Sequence, residues 1–231
     1  MLVFFNSSSH ICNRYEALRA ELASGSIGEV VQVICSFGEK IEAARLSKKE
    51  LGGGTVLDLG IYTIQLAQLV FGGEEPVVVG AGHQGEDGCD QSTSTTLLYS
   101  GGRTATLITH SRVQVLLPPI LPPPPSSQLP NTAVIVGTRG TMTVPRPFWT
   151  PLGLETATGT QTFQLPPGGE AGQYNFGNGA NMAHESAHVR DCLKKGLTES
   201  PLVTLEESIV MARIMETVRR QVGVTYPQDT A

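Results

Sequence analysis

The chain is poor in cysteine, in charge of either sign and in long apolar runs. Its four cysteines, at positions 12, 35, 89 and 192, show no paired spacing, so neither a zinc ribbon nor a disulfide framework is expected. Reduced thiols in the cytoplasm are the simpler interpretation. Charged residues make up 16% of the 231 residues, the formal net charge is -5 and no basic block occurs. These features argue against nucleic acid as a partner.

No apolar run approaches the roughly 20 residues that span a bilayer. The apolar residues 1–5 are too short for the core of a signal peptide and lack a basic flank. We therefore expect no membrane segment and no secretory leader. Hydrophobic residues still make up 40% of the chain, which is enough for a globular domain that buries a sizeable core without disulfides.

The most informative stretch is residues 52–62, where three glycines lead into an apolar helix. Asp58 and Tyr62 are four residues apart, so a helix projects them from one face, and the glycines let a ligand approach the backbone. A carboxylate and a phenol on one face suit proton transfer to or from a hydroxyl or carbonyl group. The alternative is structural, with Asp58 near the helix dipole and Tyr62 half in the core.

The same residues resemble a known family. Three glycines, a few apolar residues, Asp, Gly, and His or Tyr four residues after the Asp are similar to the Gfo/Idh/MocA oxidoreductases. Tyr62 in place of His is similar to their dihydrodiol dehydrogenase branch. Further matching segments are RYEAL at 14–18, GSIGE at 25–29, VGTRG at 136–140, NFGNG at 175–179 and GVTYPQD at 223–229. The resemblance thus runs in order from residue 13 to the C-terminus.

The resemblance implies an α+β fold for residues 13–231. It is the largely antiparallel sheet, with helices packed on one side, of the family's C-terminal substrate and association domain. Residues 1–12 look unlike the family and are expected to be an atypical N-terminus. A complete Rossmann domain cannot be recognised, and Glu39-Lys40 is followed by Ile41 instead of the family's proline. We therefore expect a truncated form that is inactive alone.

For the activity, the resemblance implies NADP-dependent oxidation of trans-dihydrodiols of aromatic hydrocarbons and of D-xylose. The family's Rossmann domain binds NADP, so no cofactor is expected to bind this chain alone. Tyr62 would share proton handling with the family's lysine, and Asp58 would orient the substrate or tune its neighbours. Trp149 and Phe176 are the expected walls of the diol or sugar pocket. Gly177 stands where close relatives are expected to carry an acid.

The resemblance also implies association through the sheet. In this family the open face of the sheet commonly serves subunit contacts, so a homodimer is expected. A mixed dimer with a full-length subunit, in which this chain is a non-catalytic partner, is the alternative role.

Periodicity and turn residues predict the order of elements. Helices are predicted at about 14–24, 55–71, 181–195 and 204–222, with a polar helical stretch at 40–51. Strands are predicted at 29–37, 76–82, 92–99, 103–110, 131–136, 141–144 and 161–165. Short turns between successive strands favour an antiparallel sheet.

Residues 80–85 match the dinucleotide motif G-x-G-x-x-G after an apolar strand. That motif needs a helix to follow, so that the helix N-terminus meets the pyrophosphate, and an acid about 20 residues further on. Here an alternating strand follows, and no carboxylate lies near Ser100. We therefore expect a connection between two strands.

His184, Glu185 and His188 form a literal H-E-x-x-H on a predicted helix. Two histidines at i and i+4 could hold zinc while the glutamate activates water, with Glu207 as a third ligand, which would make the protein a zinc hydrolase. The helix also has an ordinary apolar face, and the resemblance implies no metal. In the structural alternative His184 is exposed and His188 is hydrogen-bonded near the sheet.

The proline-rich residues 114–128, QVLLPPILPPPPSSQ, fit neither helix nor strand. Prolines cannot donate ladder hydrogen bonds, and the run favours polyproline II. It could dock an SH3 or WW domain. An inserted, exposed and disordered loop is the preferred interpretation.

Overall fold

The computed structural model describes residues 13–40, 43–112, 129–166 and 179–230. Its helices are α1 Asn13–Ser24, α2 Ala44–Ser47, α3 Ile61–Phe71, α4 Met182–Lys194 and α5 Leu205–Val222. Its strands are β1 Val30–Gly38, β2 Val77–Gln84, β3 Asp90–Leu98, β4 Thr104–His110, β5 Ala133–Gly137, β6 Gly140–Val144, β7 Gly153–Thr156 and β8 Gly159–Thr162. A π-helical turn, Val56–Gly60, leads directly into α3.

The eight strands form one sheet in the order β2-β3-β4-β1-β5-β6-β7-β8. Among the strands that the structure describes, only β1 and β4 pair in parallel, and the other neighbouring strands are antiparallel. Strand β1 lies between β4 and β5 and is rich in β-branched residues on both faces: Val33 is buried under the helices, whereas Ile34 is 41% exposed on the opposite face. The expected α+β class with a largely antiparallel sheet is confirmed.

The core lies between the inner face of the sheet and helices α3 and α5. Helix α3 is buried on most of its faces, as its sequence predicts, and α5 packs along β2 and against α3. The side chains of this core include Val33, Leu97, Leu107, Ile135 and Met142 from the sheet and Leu66, Ala67, Met211 and Ile214 from the helices. Burial of this continuous apolar surface is the main stabilising contribution.

The start of the helical stretch is held by a buried carboxylate of β3. Asp90 Oδ2 accepts hydrogen bonds from the Thr55 hydroxyl at 2.6 Å and from the Val56 amide at 2.8 Å. The preceding Gly54 has a φ of 136°, and a Cβ there would lie 2.2 Å from Asp90 Oδ1. Both the backbone conformation and the lack of space therefore require glycine at this position.

The helical stretch Lys49–Phe71 is long and apolar enough to cross a membrane by length and composition alone. However, 67% of the tested window is buried inside the domain. Its contacts with the sheet and with α5 are those of a core helix.

The outer edge of β2 is occupied by a side chain of α5. Gln221 Oε1 accepts a hydrogen bond from the Gly80 amide at 2.5 Å, and its Nε2 donates to the Val78 carbonyl oxygen at 2.9 Å. Gln84 of β2 in turn donates to the Val222 carbonyl oxygen at 2.9 Å. Backbone groups on this edge that would otherwise be open to a further strand are thus satisfied within the chain.

Most predicted elements are confirmed to within about two residues, and three predictions are corrected. The stretch 55–71 begins with a π-helical turn instead of continuous α-helix, and the described part of 40–51 holds only α2 and a 3₁₀ turn, Lys49–Leu51. The strand predicted at 161–165 is β8, displaced toward the N-terminus, and β7 was not predicted. Both strands are four residues long, and β8 is polar and exposed, so neither shows apolar alternation. Residues 1–12 and 114–128 lie outside the described residues.

Candidate active site

Four aromatic rings meet where β1 ends, beside the π-helical turn. The ring of Tyr62 lies edge-on to Phe37 of β1, with ring centres 5.5 Å apart and planes at 67°. Phe37 stacks on Trp149, with centres 3.8 Å apart and planes at 10°. Phe148 lies at right angles to the rings of this stack, with ring centres 5.8 Å from Phe37 and 5.5 Å from Trp149. The structure therefore brings the predicted residues Tyr62 and Trp149 to one aromatic wall.

The loop that carries Trp149 is held in place by two backbone hydrogen bonds of its neighbour Phe148. Phe148 is buried, its amide donates to the Asn131 carbonyl oxygen at 3.1 Å, and its own carbonyl accepts from the Tyr15 hydroxyl at 2.7 Å. Trp149 itself is only half-buried. A large apolar ring is thus held in place at the edge of the core, which suits contact with an apolar ligand.

Asp58 lies in the π-helical turn and forms an ion pair with Arg45 of α2. The Asp58 side chain is 22% exposed and that of Arg45 is 52% exposed. The charge of Arg45 also acts on Tyr62. Arg45 therefore connects the two residues that the sequence predicted as catalytic. Short π-helical segments within helices are frequent at functional sites.

Burial raises the pKa of the Tyr62 phenol above its ordinary value. The charge of Arg45 opposes this shift, and the carboxylate of Glu185 on α4 adds to it. Tyr62 is therefore a neutral phenol at pH 7 and can donate a hydrogen bond or a proton to a hydroxyl or carbonyl oxygen.

A second half-buried carboxylate lies two residues beyond Phe37. Burial raises the pKa of Glu39, and the charge of Arg146, from the loop that precedes Trp149, opposes that shift. The aromatic wall thus has polar groups on more than one side, which is the composition of a pocket that orients a small polar ligand.

Two members of this arrangement were missed from the sequence. Phe37 is the aromatic residue of β1, and strand alternation places it on the inner face, which is the signal that could have found it. Arg45 lies in a polar stretch without a distinctive pattern. Phe176, the other predicted wall, lies outside the described residues, as does Gly177.

The H-E-x-x-H segment forms part of α4, away from any described group of metal ligands. His188 Nε2 lies 2.9 Å from the Ser200 hydroxyl, in the connection before α5, and 3.4 Å from Cys192 Sγ of α4 itself, so His188 is hydrogen-bonded as the structural alternative had it. His184 is half-buried instead of exposed. Within the described ranges no three His, Cys, Asp or Glu side chains gather as metal ligands, and the zinc alternative therefore gains no support.

The glycine motif at 80–85 lies on β2 and in the turn that follows. Gly80 and Gly82 pair with Thr95 and Thr93 of β3, which confirms the predicted connection between strands. A Cβ at Gly82 would lie 2.3 Å from the Ser92 carbonyl oxygen, so this glycine serves strand packing. The motif precedes a strand and not a helix N-terminus, so these residues do not fit the pyrophosphate of a dinucleotide.

The eight-stranded sheet and its helices have the fold of a known family. A family model described as the GFO/IDH/MocA C-terminal domain matches residues 15–143, and the chain belongs to this family. The proteins similar to it are oxidoreductases.

Its relatives include the trans-1,2-dihydrobenzene-1,2-diol dehydrogenases of vertebrates. The chain is 38% identical to that of Bos taurus over 216 residues, which cover 93% of this chain and 60% of the relative. It is 40% identical to the enzyme of Xenopus tropicalis over 215 residues, or 92% of this chain and 60% of the relative. The chain thus spans about three fifths of the length of these curated relatives.

Solved structures show the same fold at low sequence identity. KijD10, a 3-ketoreductase from Actinomadura kijaniata solved with NADP and TDP-benzene, superposes with a TM-score of 0.71 at 20% identity, covering 96% of this chain and 63% of that one. An oxidoreductase from Agrobacterium radiobacter solved with NAD+ gives a TM-score of 0.69 at 17% identity, covering 94% and 61%. Members of the fold family thus bind NAD or NADP.

Proposed function

We propose that this domain supplies the substrate side of an NADP-dependent oxidoreductase that oxidises trans-dihydrodiols of aromatic hydrocarbons and D-xylose. The observation that carries the proposal is the contact of the Tyr62 ring with the Phe37–Trp149 stack, beside the Asp58–Arg45 ion pair. An aromatic wall next to a neutral phenol matches a substrate that has an apolar ring and adjacent hydroxyl groups. The 38% identity to a dihydrodiol dehydrogenase supports the same substrate class.

In this proposal each residue has a separate task. Trp149 contacts the carbon ring of the substrate, Tyr62 donates a hydrogen bond to the reacting oxygen, and Asp58 orients a neighbouring hydroxyl group. Arg45 holds the Asp58 carboxylate in place and keeps positive charge near the phenol. Such positioning lowers the barrier only when a hydride acceptor is also present.

The glycine motif at 80–85 does not fit the pyrophosphate of a dinucleotide, so the proposal places the cofactor on a dinucleotide-binding domain outside the described residues. We expect the purified 231-residue chain not to reduce NADP with either substrate. The described cysteines Cys35, Cys89 and Cys192 are unpaired thiols, which supports a cytoplasmic location as part of the same proposal.

Substrate binding can be tested without turnover because Trp149 is the only tryptophan of the chain. Titration with benzene trans-dihydrodiol should change its fluorescence with saturation. Tyr62→Phe should weaken the affinity about two- to twelvefold, the effect of one hydrogen bond of roughly 0.5–1.5 kcal/mol. Leu193→Ala, on exposed α4, is the matched control and should leave it unchanged. A wild-type signal that does not respond to the diol would contradict the proposed pocket.

Turnover is tested separately with NADP. The chain alone should give no increase in NADPH absorbance with the diol or with D-xylose, and calorimetry should detect no NADP binding. Measured oxidation by the purified chain would overturn the placement of the cofactor outside it.

We further propose that two copies, or this chain and a longer relative, associate through the open face of the sheet. Six strands expose a row that runs from β2 to β6 and contains no charged residue: Val79, Thr96, Thr106, Ile34, Val134 and Thr143. Val79 is 54% exposed and Ile34 is 41% exposed. A contiguous row of exposed apolar and threonine side chains supports an interface on this face.

Sedimentation of the chain tests this association. Ile34→Lys places a charge in the middle of the row and should shift a dimer toward monomer. Leu193→Lys adds the same charge on α4 and should not. Wild-type chain that remains monomeric at about 100 μM, well above the Kd of a stable dimer, would remove the proposal.

A further inference from the structure

Residues 224–229, the C-terminal strap, are held against α5 by a buried arginine. Arg219 is 3% exposed. Its Nη1 donates to Asp229 Oδ2 at 2.5 Å, and its Nη2 donates to Asp229 Oδ1 at 2.9 Å. Nη1 also donates to the Val224 carbonyl oxygen at 2.9 Å, and the guanidinium lies 4.8 Å from the centre of the Tyr226 ring. A paired contact of this kind fixes orientation as well as distance, so the strap has a defined position on the domain.

Tyr226 connects the strap to the glycine turn that precedes the candidate site. The residue is 9% exposed, and its amide donates to Asp229 Oδ2 at 2.7 Å. Its hydroxyl donates to the Gly53 carbonyl oxygen at 2.6 Å. Burial, together with the charge of Asp90, raises the pKa of the Tyr226 phenol to about 12, so the hydroxyl stays protonated at neutral pH and donates this bond.

Gly53 lies between the elements that carry the two partners of the Asp58–Arg45 ion pair. On one side, a Cβ at Gly53 would lie 2.8 Å from the backbone of Leu46, the neighbour of Arg45 in α2. On the other side, the carbonyl of the adjacent Gly54 accepts a hydrogen bond from the Asp58 amide at 3.3 Å. The place of the Gly53 peptide therefore sets how α2 and the π-helical turn stand relative to each other.

We propose that Tyr226 is a positioning residue of the candidate site, through which the C-terminal strap sets the geometry of the Asp58–Arg45 ion pair. Three successive glycines give the turn little rigidity of its own, because glycine has the greatest backbone freedom of any residue. A hydrogen bond from outside the turn restricts that freedom, and small displacements of an orienting group reduce its effect steeply. The inference rests on the proposed function only in giving Asp58 a substrate hydroxyl to orient.

Hydrogen exchange followed by mass spectrometry tests the contact on the full chain without a substrate. Tyr226→Phe keeps the aromatic ring against Arg219 and removes only the hydroxyl. We expect the amides of residues 52–58 to exchange about tenfold faster than in the wild type, because the turn opens more often once this buried hydrogen bond is lost.

Tyr99→Phe is the matched control. Tyr99 is also a buried tyrosine, and its hydroxyl lies 3.2 Å from Gln68 Nε2, toward the end of α3 that is farther from the glycine turn. This variant likewise loses one hydroxyl contact in the core, so its overall stability should fall. The exchange of residues 52–58 should nevertheless stay at the wild-type rate, because their local opening does not involve Tyr99.

The fluorescence titration of Trp149 with benzene trans-dihydrodiol measures the consequence for the site. Tyr226→Phe should weaken the affinity about two- to twelvefold, the effect of one hydrogen bond. In an Asp58→Asn background the same change should have no further effect, because Tyr226 acts through that carboxylate. A general loss of stability would instead be additive in the two backgrounds.

Three results would overturn the proposal. The first is wild-type exchange of residues 52–58 in Tyr226→Phe, and the second is equal acceleration of that exchange in Tyr99→Phe. The third is a loss of diol affinity that persists in the Asp58→Asn background. If the wild type does not bind the diol while Tyr226→Phe alone accelerates the exchange, the proposed function is contradicted and the fixing of the glycine turn by Tyr226 is supported.

Discussion

Two helical segments each carry a pair of polar residues four positions apart: Asp58 and Tyr62 in the π-helical turn and α3, and His184 and His188 in α4. In the first pair Tyr62 contacts the aromatic ring of Phe37, whereas in the second His188 contacts Ser200 and Cys192. Seven of the eleven residues of α3 are buried, and its entry is fixed by Asp90. In α4 only Cys192 of thirteen residues is buried. The spacing that suggests chemistry is therefore equal in both, and the surface against which the helix packs makes the difference. A helix motif becomes a site only where other elements supply the remaining walls.

The largest contrast should appear in stability. Leu66→Ala in α3 removes a side chain that is 1% exposed, so we expect the free energy of unfolding to fall by about 2–5 kcal/mol. Leu193→Ala in α4, where the side chain is 57% exposed, should change it by less than about 0.5 kcal/mol. Urea unfolding measures both. Equal losses in the two variants would break the comparison.

The entry to the π-helical turn should be the next most sensitive point. Asp90→Ala removes the acceptor of the Thr55 hydroxyl and of the Val56 amide and leaves both donors buried. We expect a loss of about 1.5–3 kcal/mol, because hydrogen bonds to charged groups are the stronger class. Thr204→Ala, which removes the N-cap of α5, is the reference and should cost about 1 kcal/mol. If Asp90→Ala costs less than Thr204→Ala, the entry is not the anchor of this region.

A variant of His188 tests whether the residue pair of α4 has a structural role or binds zinc. His188→Gln disturbs the contact with the Ser200 hydroxyl, and we expect a loss of about 1 kcal/mol in the free energy of unfolding. The zinc content, measured by mass spectrometry after purification without chelator, should be substoichiometric in both proteins. Stoichiometric zinc that His188→Gln removes would make α4 the functional helix and reverse the comparison.

The smallest effect should be the pH dependence of Glu185, the residue through which α4 acts on Tyr62. Burial raises its pKa above the ordinary 4.5, so its contribution to stability is present in acid and is lost as pH rises above that value. Glu185→Gln should therefore gain stability relative to wild type between pH 4 and pH 7, by a few tenths of a kcal/mol. Unfolding curves at the two pH values provide the check. A gain confined to pH 4 would have the wrong sign.

Much of the fold could be predicted because its signals are local. The β-branched residues of β1, the Thr204 cap and the C-terminal Gly223 of α5 are readable over a few residues. The π-helical turn could not be predicted, because the carboxylate that binds the Val56 amide lies 34 residues later in the chain. Strand β8 was misplaced because its exposed polar residues carry no apolar alternation.

In the candidate site, too, some residues could be predicted from local sequence, whereas their contacts could not. Asp58 and Tyr62 stand out by their spacing and by the family resemblance, whereas the contact of Tyr62 with Phe37 depends on how α3 crosses the sheet. The stack of Phe37 on Trp149 joins residues from β1 and from the loop after β6, a separation that no local pattern spans. Arg45 was equally invisible, because its role comes only from the ion pair with Asp58.

The hydrogen bonds of Gln221 to β2 affect how copies of the domain can assemble through the edge of the sheet. A sheet that pairs at its rim adds strands without limit and grows into a fibre, whereas contact through a broad face ends once two faces have met. Gln221 closes the β2 rim by mimicking the backbone of a neighbouring strand, and β8 at the other rim is only four residues long. One glutamine side chain thereby blocks a route to open-ended growth through this edge of the sheet.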